Sequence, residues 1–359
     1  MLIFLAVLSV LIIVHEFGHF IVARCLGIRV ERFSLGFGPK LFSIKGKQTE
    51  YVICLIPLGG YVKMAGDSRE SYSGKRYEFL ARPLKDRAKV IITGPLFNYL
   101  MSFFCFWCIF FIGFPVLTTS VGGLLEDMPA KHAGIQIGDI ITSIDGKDTQ
   151  YWEDVASIIH DKEEGEVVNL GIVRDGEEIN LTVGPEFKKT KNLLGEEVTI
   201  ALIGISPSEE TVKVSYGLFP ALAKGTERLF DITSLTLQAL SRMLLGSLSL
   251  RESVTGPLGI FFATNKAFEF GPAALLHVVA VLGVSLAIFN LLPIPLLDGG
   301  HLLFLLIERI RKKPLSDKTE ELLNRASLAL LLVLVAFVFY NDLIRYKVIE
   351  KIVEFFSFL

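Results

Sequence analysis

The chain is short of cysteine, with four in 359 residues, and short of net charge, at −2. A near-neutral balance offers no basic field for a polyanion, so no nucleic-acid partner is expected. Nor do the cysteines form a disulfide framework or a zinc ribbon. Cys25 and Cys54 fall on the side expected to be reducing. Cys105 and Cys108 read as CxxC, yet they sit in the middle of an apolar run with no second pair, which fits buried packing better than a metal or redox site. The N-terminus lacks a basic leader and a small-x-small cleavage site, which argues against a signal peptide.

Apolar residues, by contrast, are abundant. They make up 51% of the chain, and the mean hydropathy is +0.52, the signature of a membrane protein with some aqueous mass attached. Four runs approach the roughly 20 apolar residues that a spanning helix needs. They are Leu2 to Ala23, the uncharged stretch between Lys89 and Glu126, Pro272 to about Leu297, and a shorter run around Ala326 to Leu343. Charge is unevenly spread. From Arg24 to Lys89 there are 14 Lys and Arg against 6 Asp and Glu, and from Val116 to Phe270 there are 13 against 23. Basic residues flank the spans at Arg24, Arg29 and Arg32, at Lys85, Arg87 and Lys89, and at Arg309 to Lys313. All three clusters fit one cytoplasmic side, with both termini and the 116–270 region outside.

The first span carries VHEFGHF at 14–20. At 100° per residue His15 and His19 share one helical face a turn apart, close enough to hold one metal ion, with Glu16 beside them. This is the pattern of a zinc hydrolase, in which zinc acidifies water and a carboxylate moves the proton. A mid-span carboxylate costs on the order of 3 kcal/mol on insertion scales, so it marks a functional cavity more often than a polar bridge between helices. A catalytic zinc usually takes three protein ligands, which leaves one to be found. NLLPIPLLDGGH at 290–301 supplies it best: Pro293, Pro295, Gly299 and Gly300 break the helix, so Asp298 can sit on irregular backbone at the same cytosolic depth as HEFGH. His301 is a rival ligand or an outer-shell residue.

Together with GFGP (36–39), PLGGYVKM (57–64) and GPLFN (94–98), these motifs resemble the bacterial site-2 proteases of the RseP type, over nearly the whole sequence. The resemblance implies an intramembrane zinc endopeptidase cutting transmembrane segments of single-span proteins, with anti-sigma factors or remnant signal peptides as substrates. His15, His19 and Asp298 would hold Zn2+ and Glu16 would be the catalytic base. Asn290 would hold the unwound substrate or the oxyanion, and Asn98 is grouped with it, a helix-helix hydrogen bond being its equal alternative. Gly59, Gly60 and Tyr61 belong to a strand edge near Pro57 to Val62 that would pair with extended substrate. A membrane scaffold with a structural or inactive metal site is the alternative, and a metal transporter a third reading.

The expected architecture is a polytopic α-helical membrane protein with a membrane-associated β-hairpin region and one extracytoplasmic PDZ domain. Its parts are a first span with HExxH (1–24), a cytosolic-side or re-entrant β region (25–88), a second span (89–115), the PDZ domain (116–212) and an amphipathic helical linker (213–270). A third span with LDGG (271–308), a cytosolic loop (309–325) and a fourth span with the C-terminal tail (326–359) complete it. Ile44 to Lys47 marks the hairpin turn. In the PDZ region AGIQIGDIITSIDG is followed by WEDVASIIH and a second Asp-Gly turn. A peptide or the C-terminus of a protein is the expected ligand there, with Val121 to Leu124 as its carboxylate loop. No second AGxxxGD pattern is present, a departure from the enteric type that counts against a two-module gate. The expected location is a bacterial inner membrane, with the active site open toward the cytosol.

Overall fold

A computed structural model describes residues 2–192 and 194–347; the tail beyond 347, assigned to the fourth-span segment above, lies outside them. The protein forms two compact units: Met1–Ile109 with Pro220–Leu237 and Leu250–Leu359, and Phe110–Phe219 with Gln238–Ser249.

The first unit begins with α1 (Leu2–Cys25). It ends where Gly27, at φ 71°, lets the Ile28 N–H reach the Ala23 carbonyl and its own N–H reach Arg24, a Schellman closure. Two long strands follow, β1 (Val30–Lys45) and β2 (Glu50–Met64). They pair more than once: Arg32 to Leu35 lie between Gly60–Lys63 on one side and Glu50–Ile53 on the other, while Phe42 to Lys45 pair with Glu50–Ile53 again. The bend that permits this lies at Gly36 and Gly38, with φ of 82° and 88°, a region closed to most side chains. Thus the anticipated hairpin exists, but it is folded over into four sheet-like rows with Gly60–Met64 at one edge.

Then comes α2 (Leu84–Ile112), whose last residues enter the second unit. In that unit are β3 (Phe114–Leu117), β4 (Val121–Leu124), α3 (Pro129–His132), β5 (Ile140–Ile144), β6 (Lys147–Asp148), α4 (Trp152–His160), β7 (Val168–Arg174), β8 (Glu177–Val183), β9 (Glu186–Lys191), β10 (Glu197–Leu202), β11 (Ile205–Pro207) and β12 (Thr211–Val214). A sheet in the order β6-β5-β7-β8 packs with α4 around Ile141, Ile144, Val155, Leu170 and Ile172, and this is the PDZ-like region. Val121 to Leu124 corrects the reading of a carboxylate loop, for these residues form a strand paired with β11. The glycines that suggested a loop are there because a Cβ on Gly122 would lie 2.4 Å from the Pro207 carbonyl oxygen.

The GD of AGIQIGD also has a structural reason. Asp139, 1% exposed, takes two 2.7 Å bonds from Arg174 and one from the Gln136 N–H. Burial opposes its ionisation, but these donors outweigh burial and hold its carboxyl below the usual carboxylate range. The pair therefore stabilises the unit fully above the unfolded carboxyl value of about 3.9, and the contribution is lost as pH falls through the lower folded value. In a Trp107→Phe background, thermal melting of the full-length protein followed through Trp152 should lose midpoint between pH 6 and 3. Asp139→Asn should flatten that dependence and lower the midpoint at pH 7.

The first unit resumes through α5 (Leu218–Leu244), then α6 (Leu250–Ser253), α7 (Pro257–Phe270), α8 (Pro272–Asn290), α9 (Asp298–Arg311) and α10 (Asp317–Arg345). Among the described residues, four helices are long and apolar enough to cross a membrane: α1, α2, α8 and α10. The stretch 309–325, read as a loop, is mostly helix, because Ser316 caps α10 by accepting the Thr319 N–H and starts it nine residues before Ala326. Asp342, fully buried in α10, accepts the N–H groups of Gly256, Leu258 and Gly259 and so caps α7 from another helix.

Candidate functional site

Spacing on α1 brings the two histidine rings edge to face, with centroids 4.8 Å apart and Nε2 atoms 3.2 Å apart. Asp298 meets them from the first turn of α9, Oδ2 at 3.1 Å from His15 Nε2 and Oδ1 at 3.5 Å from His19 Nε2. A tetrahedral zinc with arms of about 2.0–2.1 Å has ligand-to-ligand edges of about 3.3–3.4 Å. The histidine nitrogens stand 3.2 Å apart, each has one carboxylate oxygen of Asp298 at 3.1–3.5 Å, and one donor atom from each residue lies within 4.8 Å of the others, a donor set suited to such an ion. Among the described residues, His15, His19 and Asp298 form a group able to hold a metal; His301 is not in it, being exposed and set against Phe304.

Asp298 reaches this position through the broken segment after α8. Leu296 holds φ 78°, a conformation that costs a non-glycine residue on the order of 1–3 kcal/mol. The two glycines after Asp298 are enforced by contact, since a Cβ on Gly299 would lie 2.2 Å from the Leu292 oxygen and one on Gly300 2.3 Å from the Ile294 oxygen. The first turn of α9 thus rests directly on the carbonyls of the preceding loop. A carboxylate in that first turn also faces the positive end of the helix dipole.

Outer contacts orient both imidazoles, and they come from α2. His19 Nδ1 donates to the Val90 carbonyl at 2.8 Å, which leaves Nε2 unprotonated and directed at the group. Asn98, 1% exposed, lies against His15, its Nδ2 3.5 Å from His15 Nδ1, while its Oδ1 is buried with no partner. Exchanging the two amide atoms, which are interchangeable in placement, pairs that oxygen with a His15 Nδ1–H. Asn98 thus stands buried against a histidine of the donor group. Asn98→Ala is expected to weaken metal affinity by about 10–100-fold, the cost typical of losing an outer-shell partner, and Asn98→Asp, which keeps the acceptor, should weaken it less. Competition against a chelator measures both.

Close approach of α1 and α2 is what makes these contacts. A Cβ on Gly18 would sit 2.3 Å from the Thr93 oxygen, and one on Gly94 2.3 Å from His19 Nε2 and 2.9 Å from His15 Cε1. Gly94 therefore leaves open the space where the donors converge, a role that the sequence motif alone did not disclose. Val90 was likewise missed, since a backbone carbonyl carries no sequence signal.

Glu16 is half-buried beside the group, against β2. Of the edge residues, Gly60 borders it, for a Cβ there would lie 3.3 Å from Glu16 Cγ and from Ile12. Gly59 and Tyr61 belong to the other face, consistent with the two-residue period of a strand. Gly59 lies under the Phe37 ring, and Tyr61 stacks on Phe37 and receives a 3.1 Å bond from Arg32. Asn290 closes α8 and is partly exposed; it makes no hydrogen bond to the group among the described residues.

The profile of peptidase family M50 matches residues 3–334. A provisionally named zinc metalloprotease of Mesorhizobium japonicum is 36% identical over 361 residues, covering 95% of this protein and 97% of its own length. The regulator of sigma-E protease RseP of Escherichia coli is 30% identical over 446 aligned residues, covering 95% of this protein and 98% of its own length. Among solved structures, the PDZ domain of an SdrC-like protein of Listeria innocua is 24% identical, with a TM-score of 0.21, covering 26% of this protein and 96% of that domain.

Proposed function

The chain belongs to peptidase family M50, and from that premise we propose that it is an intramembrane zinc endopeptidase that cuts the transmembrane segments of single-span membrane proteins. The observation that carries this reading is the meeting of His15, His19 and Asp298, their donor atoms within 4.8 Å of one another and two of them within an apolar 24-residue helix. His15, His19 and Asp298 hold zinc in this reading. When bound, zinc supplies Lewis acidity toward water and the scissile carbonyl alike.

Glu16 takes the proton of the attacking water and returns it to the leaving amine. A helical peptide bond is shielded from attack, so the substrate must unwind, and the Gly60–Met64 edge offers free backbone groups for it to pair with. Asn290, at the mouth of the broken segment, holds the unwound segment or its oxyanion. The basic flanks support an orientation with HEFGH and LDGG toward the cytosol and the PDZ-like region outside, in a bacterial inner membrane. Anti-sigma factors and remnant signal peptides are the substrate classes this reading favours, and a polypeptide end is the ligand of the PDZ-like region.

The test is cleavage of a single-span substrate by purified, zinc-loaded protein in detergent, with both products mapped by mass spectrometry. A cut inside the apolar segment supports the reading. Cuts confined to the aqueous flanks would overturn it, leaving an ordinary endopeptidase that happens to be anchored.

A further inference from the structure

Below the end of α1 lies a cavity of about 470 Å³ unrelated to the His15 group, lined by Arg24, Gly27, Arg29, Lys47, Gln48 and Tyr77 among others. Three separate segments build it. Arg24 is in the last turn of α1 and donates to Thr49 Oγ1 at 3.3 Å. Lys47 and Gln48 lie in the turn between β1 and β2. Tyr77 is tied by its carbonyl to the Arg29 N–H at 3.0 Å, and its ring has the Arg29 and Lys75 cations within 6 Å.

The charges in this cavity stand uncompensated. Nearby acids are committed elsewhere: Glu50 takes Arg32 and Lys40, and Glu31 takes Lys63. Glu78, next to Tyr77 in the sequence, is spent on Ser73 and backbone N–H groups. Arg24, Arg29 and Lys47 form no ion pair among the described residues. Three like charges around one recess repel one another and favour an anion between them. The volume suits a small ligand, within the usual range of about 300–1,000 Å³.

Depth in the membrane decides which anion. A 24-residue helix is about 36 Å long, a few ångströms more than the hydrocarbon core of about 30 Å, so Arg24 near its end falls at headgroup level. Basic recesses beside spanning helices at that level take the phosphate of acidic lipids, and arginine presents a paired donor fork to a phosphodiester. We propose that this cavity is a binding site for the headgroup of an anionic phospholipid, which fastens the β1–β2 turn to the end of α1. Because β2 also packs against Glu16, where a Cβ on Gly60 would lie 3.3 Å from its Cγ, the lipid would steady the sheet beside the catalytic centre. The site itself stands whether or not the protease reading does.

Native mass spectrometry of the full-length protein in mild detergent tests it, with phosphatidylglycerol, phosphatidylcholine and inorganic phosphate titrated separately. Each cation near an acidic headgroup is worth about fivefold in affinity, so the Arg24→Gln, Arg29→Gln, Lys47→Gln triple variant should bind phosphatidylglycerol about a hundredfold more weakly. Lys47→Gln alone, in an exposed turn where misfolding is not a concern, should show a drop of about fivefold. Binding of phosphatidylcholine should be weak in all forms. Unchanged phosphatidylglycerol affinity in both variants overturns the site, and inorganic phosphate binding as tightly as the lipid overturns its assignment to a lipid.

Discussion

Glu16→Gln is expected to lower the cleavage rate by about 10²–10⁴-fold, the usual share of a positioned general base, while metal content stays at that of the wild type. The amide matches the carboxylate in size and shape, so the local packing is preserved. Glu16 is also absent from the three-residue donor group, so its loss removes no ligand. What disappears is a group able to take a proton from water and give it to the leaving nitrogen. Rates on a single-span substrate, read beside metal analysis of the same preparations, check this. Retained cleavage would place the base elsewhere, and a parallel loss of metal would make Glu16 a structural residue.

A methyl group at position 94 should do comparable damage by a different route. In Gly94→Ala the new carbon would lie 2.3 Å from His19 Nε2, in the space the donors must share. His19 cannot swing away freely, since its other nitrogen is bonded to Val90 one turn earlier on the same helix as Gly94. Metal affinity is therefore expected to fall by at least ~100-fold, the upper end for loss of an orienting partner, and cleavage with it. Helix propensity favours alanine over glycine by about 1 kcal/mol, which offsets part of an overpacking cost of about 1–3 kcal/mol. Melting in the presence of a chelator should accordingly change little. Ile92→Ala, at a more exposed position of the same helix, is the control expected to keep its metal. Normal metal stoichiometry and rate in Gly94→Ala would show that the donors converge elsewhere.

The sequence disclosed those parts that follow from a short-range period or from an expensive residue in an apolar run. HEFGH needed only the 100° step of a helix, and Asp298 only the prolines and glycines that free it from one. Both Asp-Gly turns of the PDZ-like region adopt the positive φ pairs their composition implies, 51° and 76°, then 51° and 86°. Legibility stopped where a residue's reason lies in a distant segment. The double pairing of β1 depends on where Gly36 and Gly38 bend a strand back onto a partner already used. Gly122 reads as a turn but serves a strand that must pass close to Pro207. The Gly94 motif is easily quoted, yet its purpose becomes visible only when the histidine rings stand over it. Asn98 shows the same limit, since its spacing does not say whether it faces a substrate or the back of His15.

The donor group joins residues from opposite ends of the sequence, and this has a consequence for biosynthesis. At ~5–20 residues per second, the roughly 280 residues separating His15 from Asp298 take about 14–56 s to be translated. On the proposed reading, the nascent polypeptide carries during that interval two histidines and a general base but no third ligand. The proposed hydrolytic centre would then be assembled only once the third apolar segment has entered the bilayer, by which time the strands proposed to present a substrate have already been made.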